Sequence, residues 1–286
     1  MTQYKIFSRF AISITWIWLA LFALIPSFLL LLTSVLVQGD TELVRLRFTL
    51  GNYGRLFDSM YLYIFLRSFS LAAVCTFGCL LLAYPFSYCL ARLSHRFRGV
   101  LVLLVMIPFW TSSLIRSYAI VTILKMHGLL NTFLLSLGLI DKPLQLLYTN
   151  TATVIGLIYT LLPLMILPLY ASIEKLDWRL VEAARDLGAN KYRVFFYILL
   201  PLTLPGVLAG CVLVLLPAMT LFYIPDLLGG AKTFLLGNAI QNQFLTARDW
   251  PMGSTISIAL IFIMGLALFI YWHFYGKQLD VSHETH

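Results

Sequence analysis

Charge is scarce in this sequence. Only 11% of its 286 residues are Asp, Glu, Lys or Arg, less than half of the roughly 25% usual in a soluble domain. Apolar residues make up 60% of the chain, and the mean hydropathy is +0.90. A soluble fold of this size needs more polar surface than these residues supply, so composition excludes one, and it excludes disorder and collagen-like repeats as well. No G-x-x-x-x-G-K-[ST] phosphate loop is present, since Gly229-Gly230-Ala231-Lys232 lacks the spacing, and the chain therefore shows no means of hydrolysing ATP. No Ser/His/Asp arrangement suggests catalysis, and His95, His127, His273, His283 and His286 are scattered without metal-ligand spacing. Basic residues outnumber acidic ones by 20 to 12. No Lys/Arg run is interleaved with aromatics, so the surplus points to the positive-inside bias of a membrane protein and not to nucleic acid. Cysteine is sparse too. Cys75, Cys79, Cys89 and Cys211 all lie in apolar stretches; Cys75 and Cys79, one helical turn apart, read as a metal pair or, more simply, as buried thiols acting as small hydrophobes.

What is abundant is long apolar sequence. A membrane-spanning helix needs about 20 apolar residues and satisfies its own backbone. Such stretches predict an all-α integral membrane protein with six transmembrane helices at about 10–37, 64–91, 99–122, 152–173, 194–224 and 251–275, and a loop at 174–193. The first stretch is far longer than the roughly 7–15-residue core of a signal peptide and no A-x-A site follows it, so it is expected to be retained. Arg67 and Arg116 stand at span ends, where long side chains snorkel. With the N-terminus inside, the inner segments carry eleven Lys/Arg, including the acid-free cluster Arg92, Arg96 and Arg98, against seven outside. Both termini are therefore expected in the cytoplasm. Pro26, Pro85, Pro108, Pro163, Pro168, Pro201, Pro205 and Pro217 fall inside the apolar stretches. Neighbouring helices tolerate such prolines, but so many also suit kinks around a moving pathway.

The loop 174–193 differs from the rest in its mixed charges. Asp177 is the expected N-cap of a short helix from Trp178 to Leu187, with Gly188 as the C′ residue at φ > 0. Leu176, Leu180, Ala184 and Leu187 recur at helical spacing along one side, with Arg179, Glu182 and Asp186 on another. An apolar side so exposed packs on its own bundle or docks in a partner's groove. Glu182 in turn forms an i,i+3 pair with Arg185 or faces a partner.

Glu182-Ala183-Ala184, three residues, Gly188, nine residues, Ile198, one residue and Leu200-Pro201 resemble the "EAA" motif of binding-protein-dependent ABC importer permeases, with every fixed position present between the fourth and fifth spans. The resemblance implies a type I importer (MetI-like) permease fold, in which Glu182, Ala183, Ala184, Gly188, Ile198, Leu200 and Pro201 belong to a cytoplasmic coupling helix and its junction with the membrane. It also implies three kinds of partner: a cytoplasmic ATPase dimer that binds the ATP, a second homologous permease, and a periplasmic substrate-binding protein. The chain itself would be no enzyme and would carry no cofactor.

Further segments, among them Pro108–Arg116, Ser172–Asp177, Leu216–Met219, Phe222-Tyr223, Asp226-Leu227 and Gly229–Lys232, are similar to the polyamine (spermidine/putrescine) branch of that family. A polycation pathway needs carboxylates and aromatic faces. Asp226, Tyr223 and Phe222 cluster at the outer end of the fifth span, and Trp110 follows Pro108 in the third; Gln241 and Tyr53 are weaker candidates. Against this, aromatics also belong at membrane interfaces, and Asp226 also suits a cap at the span's end. Permeases for oxyanions or iron stay open on physical grounds. A self-sufficient secondary transporter is a further alternative, but it would be expected to show mid-membrane acids for ion coupling, and the long spans have none.

Overall fold

The computed structural model describes residues 12–39, 43–230 and 233–280. Lys5, Arg9, the start of the first apolar stretch, Ala231, Lys232, His283 and His286 lie outside the described residues, as do the side chains of His95 and Lys277. Among the described residues, six stretches are long and apolar enough to cross a membrane: Ile12–Ser34, Ser59–Arg92, Ser113–Ser136, Asn150–Glu174, Lys191–Thr220 and Trp250–Ile270. In chain order the helices are α1 (Ile12–Ser34), α2 (Gly51–Arg55), α3 (Ser59–Arg92), α4 (His95–Trp110), α5 (Ser113–Leu124), α6 (Leu129–Ser136), α7 (Asn150–Glu174), α8 (Trp178–Asp186), α9 (Lys191–Thr220), α10 (Leu236–Leu245) and α11 (Trp250–Asp280). The chain divides into two compact units, residues 1–63 with 239–263 and residues 64–238 with 264–286.

In the first unit, α1 widens into a π turn at Ala20–Leu24, two residues before Pro26. Proline has no N–H, so the carbonyl of Phe22 loses its usual partner and the ladder is disturbed there. After α1, the strands β1 (Leu36–Val37) and β2 (Arg45–Phe48) pair antiparallel, Leu36 opposite Phe48, with an irregularity in register. Buried Asn52 ties this corner together by donating to the carbonyls of Ser34 (3.1 Å) and Leu36 (2.8 Å). Tyr53 bonds the Ser34 hydroxyl at 2.8 Å, which assigns this side chain to the corner. Thr255 on α11 donates to the Ser34 carbonyl at 3.1 Å, and Arg55 pairs with buried Asp249 at 2.9 Å.

In the second unit, α7 and α9 pack tightly because Gly206 and Gly210 remove side chains from their contact. A Cβ at Gly206 would lie 2.4 Å from Ser172 Cβ and 2.8 Å from the Pro168 carbonyl oxygen. This G-x-x-x-G spacing is the small-residue pattern by which membrane helices approach closely. On α3 the buried residues Leu71, Ala72, Cys75, Thr76, Cys79, Ala83, Ser87 and Leu90 form one face. Cys79 Sγ approaches the Ile158 carbonyl at 3.8 Å, and both thiols have zero exposure. Among the described residues, no group of three His, Cys, Asp or Glu is placed to hold a metal.

The stretch expected as one helix over 99–122 is two helices, with Thr111 and Ser112 in extended conformation between them. Pro108 sits near the end of α4, and the Thr111 hydroxyl donates to the Pro108 carbonyl at 2.8 Å. The hydroxyl takes the carbonyl that a continuing helix would offer to the Ser112 N–H, and the helix stops there. α9 also ends earlier than 224, at Thr220, and a π turn at Pro225–Gly229 follows.

α10 starts hard against the end of α9. A Cβ at Gly237 would lie 2.1 Å from the Thr220 carbonyl oxygen, so Gly237→Ala forces two backbones apart. Overpacking of this kind costs roughly 1–3 kcal/mol. The variant should unfold at lower temperature in detergent, whereas Gly99→Ala, where nothing lies within 4 Å, should not. Equal melting of the two would disprove the close approach.

Candidate functional site

The loop after α7 is built by two capping devices. Asp177 Oδ1 accepts from the Arg179 N–H at 3.0 Å and starts α8. At its end, the Gly188 N–H reaches the Arg185 carbonyl (2.9 Å) and the Ala189 N–H reaches the Ala184 carbonyl (2.9 Å). These two bonds make a Schellman motif, and Gly188 holds φ +83, a conformation that costs glycine little. Asn190 then caps α9 by accepting from the Arg193 N–H at 2.8 Å. A π turn at Phe195–Leu199 precedes Pro201, as one precedes Pro26 in α1, and for the same reason.

α8 is seated through Val181, which packs with Val194 and Leu199 against Trp178, Ala184, Ile198 and Tyr88. The Arg92 guanidinium lies over the rings of Tyr88 (5.4 Å) and Trp178 (5.1 Å), and Arg98 pairs with Glu174 at 2.8 Å. The expected stripe Leu176–Leu180–Ala184–Leu187 is therefore divided. Leu176 and Ala184 turn inward, while Leu180 is 50% and Leu187 89% exposed. Glu182, Ala183 and Gly188 are exposed, Ile198 and Leu200 half-buried, and Pro201 exposed. Among the described residues Glu182 forms no ion pair with Arg185, and Arg179 reaches Asp177 at 3.8 Å. The result is a helix capped at both ends and packed through Val181, with an outward face of Leu180, Ala183, Leu187 and Glu182. Val181 and Trp178 were missed as anchors, although Trp178, Val181 and Ala184 recur at i, i+3 and i+6.

A second cluster follows α9. The rings of Phe222 and Tyr223 meet edge to face, centroids 6.0 Å apart, and the Asp226 N–H donates to the Phe222 carbonyl at 3.2 Å. Behind them Ile224 and Leu228 are fully buried, leaving Phe222 and Asp226 exposed and Tyr223 half-buried. Asn238 is the residue the sequence did not disclose. Its Nδ2 donates to the Asp226 carboxylate at 2.5 Å and to the Phe222 carbonyl at 3.1 Å, and its Oδ1 accepts from the Leu235 N–H at 3.1 Å. Partial burial pushes the Asp226 carboxyl above its ordinary value. Trp110, 80% exposed at the end of α4, has no ring contact or hydrogen bond with these three among the described residues.

Among the described residues, six membrane-length apolar stretches and a capped helix that faces outward from the loop between two of them are the architecture of a multi-pass membrane transport component. Residues 4–275 match the family described as "Binding-protein-dependent transport system inner membrane component", and the chain belongs to that family. It is 52% identical over 255 residues to the spermidine/putrescine transport system permease protein PotB of Escherichia coli K12, covering 89% of this chain and 93% of that one. To the PotB of Haemophilus influenzae it is 47% identical over 266 residues, 93% of each chain. The E. coli inner membrane ABC transporter permease YdcU is 32% identical over 77% of this chain and 74% of its own. A crystal structure of a bacterial alginate ABC transporter in complex with an alginate-bound periplasmic protein contains a chain that superimposes with a TM-score of 0.73. The two are 16% identical, with 96% of this chain and 95% of that one covered; this establishes the ABC permease fold.

Proposed function

We propose that the chain is the permease subunit of an ATP-driven importer of polyamines, forming half of a pathway across the inner membrane that opens alternately to its two sides. The observation that carries the substrate is the 52% identity to a spermidine/putrescine permease over 89% of the chain. The capped helix α8, with its outward Ala183, Leu187 and Glu182, supports the rest. It is the coupling helix, lodged in a cytoplasmic ATPase dimer that binds the ATP. The loop 174–193 and both termini face the cytoplasm. The other half of the pathway is a homologous but different permease chain, and a periplasmic polyamine-binding protein delivers the substrate. Asp226 binds an ammonium group of the polyamine, and Phe222, Tyr223 and Trp110 offer it aromatic faces.

The test is purification of the tagged chain with its co-purifying subunits, followed by ATPase assays. Stimulation by binding protein loaded with spermidine or putrescine is expected. Stimulation only by oxyanion or iron, or uptake driven by an ion gradient with no ATPase present, would overturn the assignment.

Asn238 acts here as a positioning residue, since its amide favours the ionised Asp226 carboxylate. A carboxyl with a raised pKa loses its charge at higher pH as the medium is acidified, and removing the amide raises it further. Asn238→Leu should therefore move the acid limb of the uptake–pH profile to higher pH. Superimposable wild-type and variant profiles would remove Asn238 from this role.

A further inference from the structure

The ends of α3 and α9 nearest α8 enclose a groove of about 500 Å3. Its walls are apolar at one end, where Phe77 and Leu81 line it and are 67% and 64% exposed. Tyr84 and Tyr88 follow along α3, and the groove finishes at Arg185 of α8 and Lys191 of α9. From Phe77 to Tyr88 the helix rises about 16 Å at ~1.5 Å per residue, close to one leaflet's share of a hydrocarbon core about 30 Å thick. Both cations are exposed and, among the described residues, neither forms an ion pair; no acidic residue lines the groove. Arg92, stacked on Tyr88, adds positive charge at the same end.

An apolar channel one leaflet long, open to the side and closed by two unpaired cations, is complementary to one kind of occupant. We propose that it binds an anionic phospholipid of the cytoplasmic leaflet, acyl chain along Phe77, Leu81 and Tyr84 and phosphate between Arg185 and Lys191. A zwitterionic lipid fits the apolar wall but brings no net charge to the cations. Because Arg185 belongs to α8 and Lys191 to α9, the phosphate bridges the loop helix to the membrane helix that follows it. The choice of leaflet rests on the cytoplasmic placement of loop 174–193 given above; the binding itself does not.

The experiment is native mass spectrometry of the complete, delipidated transporter titrated with phosphatidylglycerol or phosphatidylcholine. Phosphatidylglycerol should bind more tightly. Arg185→Gln with Lys191→Gln should weaken its binding by about fivefold for each cation removed, while Arg185→Lys with Lys191→Arg should preserve it. Leu81→Trp, which keeps both cations and fills the apolar end, should displace either lipid. Equal affinity for the two lipids, or unchanged phosphatidylglycerol binding in the double Gln variant or in Leu81→Trp, would overturn the proposal. So would efficient cross-linking of a photoreactive residue substituted for Leu81 to the second permease, which would show that protein fills the groove.

Discussion

Gly188→Pro should reduce transport to background while the chain still inserts in the membrane. Proline fixes φ near −65°, and Gly188 holds +83. Proline also removes the N–H that donates to the Arg185 carbonyl at 2.9 Å. Both bonds that end α8 depend on this geometry, so the change costs at least about 3 kcal/mol locally and releases the helix from its fixed direction. The same structure separates two changes that look equivalent in the sequence. Ala184 packs against the Val181–Val194–Leu199 cluster, so Ala184→Trp should unseat α8 from its own bundle. Ala183 is exposed on the outward face, so Ala183→Trp should leave α8 seated and instead prevent association with the ATPase. Co-purification of ATPase with each variant, and uptake by each, measure the difference. Wild-type ATPase association and uptake in Gly188→Pro and Ala183→Trp together would remove the coupling role. Glu182→Ala should be milder, because an exposed charge pair is commonly worth about 1 kcal/mol or less.

That contrast between Ala183 and Ala184 marks how far the sequence could be read. The caps were legible, because Asp177 and Gly188 act locally through hydrogen bonds and allowed φ values. The phase of α8 was not. Nine residues give the helix two possible apolar sides, and the larger leucines, Leu180 and Leu187, drew the expectation toward the side that faces away from the bundle. The burial of Val181 is settled by contacts outside the helix itself, with Tyr88 on distant α3 and with Val194 and Leu199 on α9. The apolar stretches were visible from their length, but not all of their breaks. Inside a membrane, core and lipid are equally apolar, so composition does not show that Thr111 and Ser112 interrupt the stretch after Pro108. Nor does any local pattern join Asn238 to Asp226, or reveal that Gly237 must lie against the Thr220 carbonyl.

The Asp226 site admits a test in which geometry is held nearly constant. Asp226→Asn replaces one carboxylate oxygen by an amide nitrogen, and the remaining carbonyl oxygen still accepts the hydrogen bond that Asn238 Nδ2 now gives. The Asp226 N–H to Phe222 bond is made by the backbone and is untouched, as are buried Ile224 and Leu228 behind it. Folding and subunit assembly should therefore match the wild type. What disappears is the negative charge, and a charge-assisted bond to an ammonium group is about twice as strong as a neutral one. Partial desolvation at Asp226 strengthens such a pair relative to one in bulk water. A loss of roughly 1.5–3 kcal/mol predicts a ten- to hundredfold fall in spermidine uptake at limiting substrate, with substrate-stimulated ATPase activity falling in parallel and basal ATPase activity retained. Asp226→Glu keeps the charge and should retain more uptake than Asp226→Asn. Full uptake by Asp226→Asn at limiting spermidine would take Asp226 out of the pathway, leaving identity to the PotB chains as the whole support for a polyamine substrate.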